Sequence, residues 1–136
     1  MAPLCPATGT RRVPERGYLA LGTYMAGSAV VEARAPVFIT RTRDTVRMPS
    51  RLRPLIAPIK ALTSAGLLSV GRSAVVARLS ATVLTVLFAA AVGAHLRVGD
   101  RSAAMWAAAV NAAVFAVAAL AGPGSPARHR RGESAG

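Results

Sequence analysis

The sequence predicts an all-α protein, a four-helix transmembrane bundle over residues 17–121 with disordered basic termini. The chain is 53% apolar but only 4% aromatic. Charge is missing from whole stretches, whereas the helices of a soluble domain carry it along one face. The longest of these stretches, Ser80–Leu96 and Ala103–Ala121, approach the roughly 20 residues that cross a hydrocarbon core of about 30 Å. We therefore expect a multi-pass integral membrane protein.

The net charge of +12 would suggest nucleic-acid binding in a soluble chain, because arginine neutralises phosphate. Here the arginines lie in short clusters between the apolar runs, a pattern typical of loops that contact anionic headgroups. They lack the interleaved aromatic stacking platform that single-strand binders use. We expect a lipid bilayer as the partner and no nucleic acid. Both sides of a four-span topology carry similar numbers of arginines, so charge does not predict the orientation.

Residues 1–16 are basic and proline-rich and predict a disordered tail. The uncharged segment that follows predicts a first span at about residues 17–33. This span is short and can cross the bilayer if Arg16 and Glu32 lie at its two interfaces, or if the bilayer thins and the flanking side chains snorkel. A second interpretation stays open, because the same segment followed by Ala33-x-Ala35 resembles a signal peptide with its cleavage site.

Arg34–Arg53 predicts a polar connection in which Val37–Ile39, too short to span, touches the interface. The second span is expected at about residues 55–70. Pro54 and Pro58 would then both fall in the first turn, where the backbone N–H groups have no partner.

Ser73 is expected to cap the third span, at about residues 74–98, and Gly99 to end it. The fourth span is expected at about residues 102–121. Residues 122–136, which begin with Gly-Pro-Gly, predict a second disordered basic tail.

His95 and Lys60 are the main candidates for chemistry. His95, at the end of the third span, could relay protons or ligate a redox group, because imidazole titrates near neutral pH. The preferred interpretation is an interfacial histidine favoured by the helix dipole; Arg97 and Asp100 follow it as further candidates. Lys60 lies within a span, where ionisable groups are functional by default, but we favour snorkelling of its stem to the headgroups.

Asn111 is the one strongly polar residue of the fourth span, and we predict a hydrogen bond from its amide to a neighbouring helix.

Glu32 could pair with Lys60 or with Arg34, and the spacing leaves both pairings open. Small residues four apart allow close helix contact. They occur at Gly22-x-x-x-Ala26, Ala61-x-x-x-Ala65 and Ala89-x-x-x-Gly93.

No catalytic constellation is predicted, because the sequence shows no paired-carboxylate site, no Ser/His/Asp set within the spans and no phosphate-binding glycine loop. No metal site is expected. Cys5 is the single cysteine, which excludes an internal disulfide and a thiolate zinc site. A haem b site would need a second axial ligand, and the other histidine, His129, lies in the tail. The sequence names no cofactor.

Ala65-Gly66-Leu67-Leu68 closes the second helix, and a run ending in His95-Leu96-Arg97-Val98-Gly99-Asp100 closes the third. With these motifs the chain resembles the DoxX-like family of small four-helix membrane proteins over about Arg53–Leu120. The resemblance implies similarity to the small membrane subunit of a thiosulfate:quinone oxidoreductase and, for some members, association with redox-stress complexes.

The chain departs from this family at two charged positions. The family commonly carries a glutamate six residues before Gly-Leu-Leu, where this chain has Lys60. The usual lysine of its first helix has no clear match, since Val30 and Glu32 occupy that neighbourhood. We therefore expect a bacterial plasma-membrane protein without catalysis of its own, an accessory or quinone-facing subunit of a membrane redox complex. The alternative is a structural or small-ligand-binding membrane protein without a redox role.

Overall fold

The computed structural model describes residues 11–124, and this part of the chain is all-helical. The two predicted tails lie mostly outside it, at residues 1–10 and 125–136. Five α-helices follow one another, with a single turn of 3-10 helix at Ser69–Gly71. The helices are α1 Glu15–Arg34, α2 Val37–Thr45, α3 Arg53–Leu68, α4 Ala74–Arg97 and α5 Ala103–Ala121.

The four long helices pack in the order α1, α3, α4, α5, and each runs antiparallel to the one before it. The Tyr18 hydroxyl of α1 donates a hydrogen bond to the carbonyl of Ala118 in α5, so the last helix also reaches the first. We call the end of the bundle near Tyr18 the terminal end. The other end holds the α1–α3 connection (residues 35–52) and the α4–α5 turn (residues 98–102), and we call it the connection end.

At the terminal end the entering and leaving segments of the chain pair with each other. The Val13 amide donates to the Gly122 carbonyl at 3.0 Å, and the Gly124 amide donates to the Val13 carbonyl at 2.8 Å. These bonds form an isolated bridge between extended residues. The last residues of the predicted N-terminal tail are thus tied to the end of α5.

The core runs along the contact of the four long helices. Its largest fully buried side chains are Tyr18, Met25, Leu67, Leu84 and Phe115, and the Phe88 and Phe115 rings stack with centroids 5.8 Å apart. Large apolar side chains are also exposed along every long helix, including Leu62, Val86, Val110 and Leu120. An exposed apolar surface of this extent suits lipid as the surrounding solvent.

Glycines permit two of the helix contacts. A Cβ on Gly66 of α3 would collide with the Ser80 side chain of α4, and a Cβ on Gly22 of α1 would lie 2.8 Å from the Leu68 side chain. Gly93 permits no such contact within the described chain, because a Cβ there would meet nothing within 4 Å. Spacing alone does not tell which small residues face a neighbouring helix.

Three helical segments in the described range are long and apolar enough to cross a membrane: Arg53–Gly71, Ala74–Arg97 and Ala103–Ala121. The chain is therefore that of a membrane protein. The predicted count of four spans is not confirmed, because α1 does not reach the same apolar composition. Charged residues lie near both of its ends, with Glu32 and Arg34 in its last turn.

Local signals set several helix boundaries as predicted. The Ser73 side chain caps α4 by accepting a hydrogen bond from the Val76 amide at 3.3 Å. Gly99, with φ +71°, ends α4: its amide donates to the Leu96 carbonyl, and the Asp100 amide donates to the His95 carbonyl at 2.9 Å. This pair of bonds is a Schellman motif, in which the left-handed residue is most often glycine.

Two boundary predictions are wrong. α3 begins at Arg53, so Pro54 lies in its first turn but Pro58 lies inside the helix, where it leaves the Pro54 carbonyl without its i+4 donor. The connection after α1 is also more regular than expected, since Val37–Thr45 forms α2. Pro36 directly precedes α2 and has the extended backbone of an N-cap residue.

Candidate functional site

A buried ion cluster lies at the connection end and joins three helices. Oε1 of Glu32, in the last turn of α1, accepts a hydrogen bond from Nη2 of Arg43 in α2 at 2.6 Å. Oε2 of the same carboxylate accepts from Nζ of Lys60 in α3 at 2.9 Å. All three side chains are 13% exposed or less. One carboxylate thus bridges two cations from two other helices.

Lys60 is buried within the bundle and does not snorkel. It is 8% exposed, and its Nζ also donates to the Ser28 hydroxyl at 3.1 Å. The ammonium lies 5.7 Å from the centroid of the Phe88 ring of α4. The snorkelling prediction is wrong because α3 turns this residue toward α1 and α4 and away from the surface of the bundle. Of the two partners left open for Glu32, Lys60 is the one it contacts; Arg34 is exposed.

Arg43 belongs to the cluster but was not predicted from the sequence. Nothing in the Arg34–Arg53 connection marks this arginine among its neighbours, and only the position of α2 brings it back to the end of α1. Its guanidinium is held from one side by the Glu32 carboxylate, while its Nε is buried without a hydrogen-bond partner in the described part of the chain.

The cluster carries one negative and two positive charges. Ion pairs of this kind lose much of their Coulomb energy to desolvation, so they are weak evidence for stability as a whole. Removing a single partner is different, because the charges that stay behind are buried and uncompensated. Of the three residues, Glu32 is therefore the one whose loss should destabilise the protein most, since it neutralises charge on both α2 and α3.

A second polar group occupies the α4–α5 turn at the same end. His95 lies in the last turn of α4 and is 4% exposed. Its Nδ1 is 2.6 Å from Oδ2 of Asp100. Asp100 also accepts hydrogen bonds from the Ser102 amide at 3.0 Å and the Ser102 hydroxyl at 2.9 Å. The positive φ of Gly99 turns the chain back so that Asp100 faces the histidine.

The carboxylate of Asp100 determines which ring nitrogen of the histidine donates in this contact. Hydrogen bonds from His95, and then from Ser102, hold the pKa of Asp100 below its ordinary value. An ionised carboxylate only accepts hydrogen bonds, so Nδ1 of His95 is the donor in this contact. In a neutral imidazole, a hydrogen on Nδ1 leaves the lone pair on Nε2, which can then accept a hydrogen bond.

The other two sequence-predicted candidates stand apart from these groups. Arg97 is exposed, and its side chain makes no hydrogen bond to another residue between 11 and 124. The Asn111 Nδ2 donates to the Ala107 carbonyl of its own helix at 2.8 Å. The predicted bond from Asn111 to a neighbouring helix is therefore not formed within the described chain.

The structure thus brings the candidates together in two groups at one end of the bundle. Lys60 joins Glu32 and Arg43, and His95 joins Asp100. No hydrogen bond or salt bridge between residues 11 and 124 links one group to the other. The same range contains no set of three or more His, Cys, Asp or Glu side chains that could hold a metal ion, and His129 lies outside it.

No known protein family, curated protein or solved structure matches this chain.

Proposed function

We propose that this chain crosses the bilayer four times, with α1 beside α3, α4 and α5, and serves as a non-catalytic accessory subunit of a membrane redox assembly. The observation that carries the proposal is the Glu32–Lys60 ion pair between the first and third helices. It bears on both the membrane topology and the family resemblance.

Contacts along the whole of α1 support a fourth crossing. At the terminal end, a Cβ on Gly71 would lie 3.0 Å from the Glu15 carboxylate. In the middle, the Ser64 hydroxyl of α3 donates to the Gly22 carbonyl at 2.7 Å. At the connection end, Lys60 contacts Glu32. α1 therefore occupies the same depth as α3, which is apolar enough to span.

The same ion pair supports the DoxX-like resemblance. The family commonly has a lysine in its first helix and a glutamate six residues before Gly-Leu-Leu. In this chain Lys60 holds the second position, and it contacts Glu32, the charged residue near the end of the first helix. The charge at the second position is inverted relative to the family, and in this chain an ion pair joins the first and second predicted spans.

His95 supports the quinone-facing part of the proposal. It ends the helix that the family motif closes, and Asp100 orients its ring so that Nε2 is free to accept. A hydroquinone that approaches along the lipid would offer O–H donors to such an atom. The role is one of binding and orientation, because the described residues form no catalytic constellation around the imidazole.

The proposal is tested by purifying the tagged chain in mild detergent from its native membrane and identifying the proteins and quinones that accompany it. We expect a membrane redox protein in the complex. Trp106, the single tryptophan of the chain, gives a second readout through quenching of its fluorescence by a short-chain quinone. Saturable quenching that weakens about tenfold in His95→Ala and is unchanged in the exposed neighbour Leu96→Ala would place His95 in the site.

Absence of a redox partner, together with identical quenching in wild type and His95→Ala, would contradict the redox role.

A structural or small-ligand-binding protein is the second candidate, and one observation favours it. A groove of about 560 Å³ lies between α1 and α3. It is lined mainly by small apolar side chains, among them Ala26, Ala29, Ala57 and Ala61, a lining that suits an apolar ligand such as an acyl chain.

A further inference from the structure

Asn111 has an unsatisfied amide in the middle of α5. Its Nδ2 donates to the carbonyl of Ala107, which uses one of two N–H groups. Its Oδ1 accepts no hydrogen bond from any residue between 11 and 124. The helix runs from Ala103 to Ala121, so this amide lies near the centre of the hydrocarbon region once α5 spans the bilayer.

Lipid tails cannot satisfy such a group. An amide oxygen without a donor in an apolar medium costs on the order of 2–7 kcal/mol, and no water is available at this depth. The missing partner must therefore be a polar group that is itself carried into the bilayer. A transmembrane helix that presents its own amide has the required chemistry.

The surface around Asn111 is shaped to receive another helix. A groove of about 510 Å³ runs between α1 and α5, with Tyr24 on one wall and Asn111 on the other. Ala107, Val110 and Val114 lie on the same face of α5 as Asn111, and the four residues have the i, i+3, i+4 and i+7 spacing of a helix-packing stripe. The Tyr24 hydroxyl also has no hydrogen-bond partner in the described part of the chain.

We infer that this face of α5 binds a second copy of the chain, with Asn111 of the two copies paired across a twofold axis. The amide of Asn111 is self-complementary. A primary amide both donates and accepts, so two identical amides related by a twofold axis satisfy each other with two N–H···O bonds. The free N–H and the free Oδ1 of Asn111 are one donor and one acceptor. The inference requires α5 to span and does not depend on a redox role.

The association is measured in lipid vesicles by energy transfer between labelled copies while the protein-to-lipid ratio is lowered. We expect a reversible monomer–dimer equilibrium. Asn111→Ala should weaken the dimer by about 3- to 20-fold, the range given by interhelical polar bonds in bilayers. Asn111→Gln, which keeps the amide, should recover part of the affinity. Thr82→Val is the matched control, because it removes an exposed polar group of α4 and should change nothing.

Crosslinking identifies the face. In a Cys5→Ser background, Val110→Cys on α5 should give crosslinked dimers, whereas Leu62→Cys on the exposed side of α3 should not. A chain that is monomeric at every density, or a dimer equally stable in Asn111→Ala and wild type, would overturn the inference. Crosslinks at Leu62→Cys in place of Val110→Cys would also overturn it. Helicity of each variant, measured by circular dichroism, distinguishes lost association from lost folding.

Discussion

Lys60 of α3 donates a hydrogen bond to Glu32 of α1 at 2.9 Å, and both side chains are buried. Along α3, Lys60 lies about 10 Å from the start of the helix at Arg53, deep enough that a lone ammonium would be costly in a bilayer. The bond explains how the chain carries a lysine at this depth. It also makes α1 necessary for the rest of the bundle.

The first prediction concerns the asymmetry of the cluster. Glu32→Gln leaves Lys60 and Arg43 as two uncompensated buried cations, and we expect it to destabilise the protein by about 3–5 kcal/mol. Lys60→Met leaves a neutral Glu32–Arg43 pair and should cost clearly less. Unfolding of the purified protein in mild detergent measures both.

The control for this comparison is the Arg53–Asp44 pair of the same connection, which has a similar length of 2.7 Å but an Asp44 side chain that is 60% exposed. Asp44→Asn should cost about 0–1 kcal/mol, as for other exposed pairs. Equal losses in Glu32→Gln and Lys60→Met would show that Arg43, the second cation, does not contribute to the cost of removing Glu32.

The second prediction exchanges the charges. Glu32→Lys combined with Lys60→Glu restores the pair but places the new lysine against Arg43. We therefore expect the double variant to stay unstable and the addition of Arg43→Gln to recover much of the loss, a coupling visible in a mutant cycle. Full recovery in the double variant alone would contradict the arrangement around Arg43.

The third prediction concerns glycines within spans. Gly66→Ala drives a methyl group into Ser80, and overpacking of this kind costs about 1–3 kcal/mol. Gly93→Ala meets nothing and should be neutral or should stabilise by up to about 1 kcal/mol, because alanine is the better helix former. The two variants add the same methyl group, so their thermal unfolding separates the cost of overpacking from the gain in helix propensity.

The fourth prediction concerns acid. The folded-state pKa of Asp100 lies below its ordinary value of 3.8, so the unfolded chain binds its proton more readily. The stabilisation that the ionised Asp100 carboxylate contributes is therefore complete above pH 3.8 and is lost as the pH falls through the folded-state pKa. Asp100→Asn should remove this part of the acid dependence, measured as melting temperature against pH.

Ser102→Ala removes one of the two side chains that lower the pKa of Asp100 and should shift the acid transition upward without abolishing it. An unchanged pH profile in both variants would mean that protonation of the Asp100 carboxylate is not coupled to unfolding.

Signals that act over a few residues were predicted from the sequence. The Ser73 cap and the Gly99 stop depend on backbone groups one turn away, and both are present. The helical class and the apolar α4 and α5 follow from composition alone. These are the features in which local propensity and the final fold agree.

Features that depend on the rotation of one helix against another were not predicted. The position of Lys60 along α3 gives its distance from the helix end, but not whether it faces lipid or α1. Arg43 entered the cluster only because part of the predicted polar connection forms α2, a helix that the sequence did not predict. Asn111 was expected to bond to a neighbouring helix, and the other helices between residues 11 and 124 present no partner to it.

The most direct test of the account is the sidedness of three exposed arginines, each changed to cysteine in a Cys5→Ser background and labelled with a membrane-impermeant maleimide in intact cells and in inverted vesicles. If α1 crosses beside α3 and is retained in the mature protein, Arg12→Cys and Arg72→Cys label from the same side and Arg51→Cys labels from the other. Labelling of Arg12→Cys together with Arg51→Cys, or loss of the Arg12→Cys segment by cleavage, would contradict it.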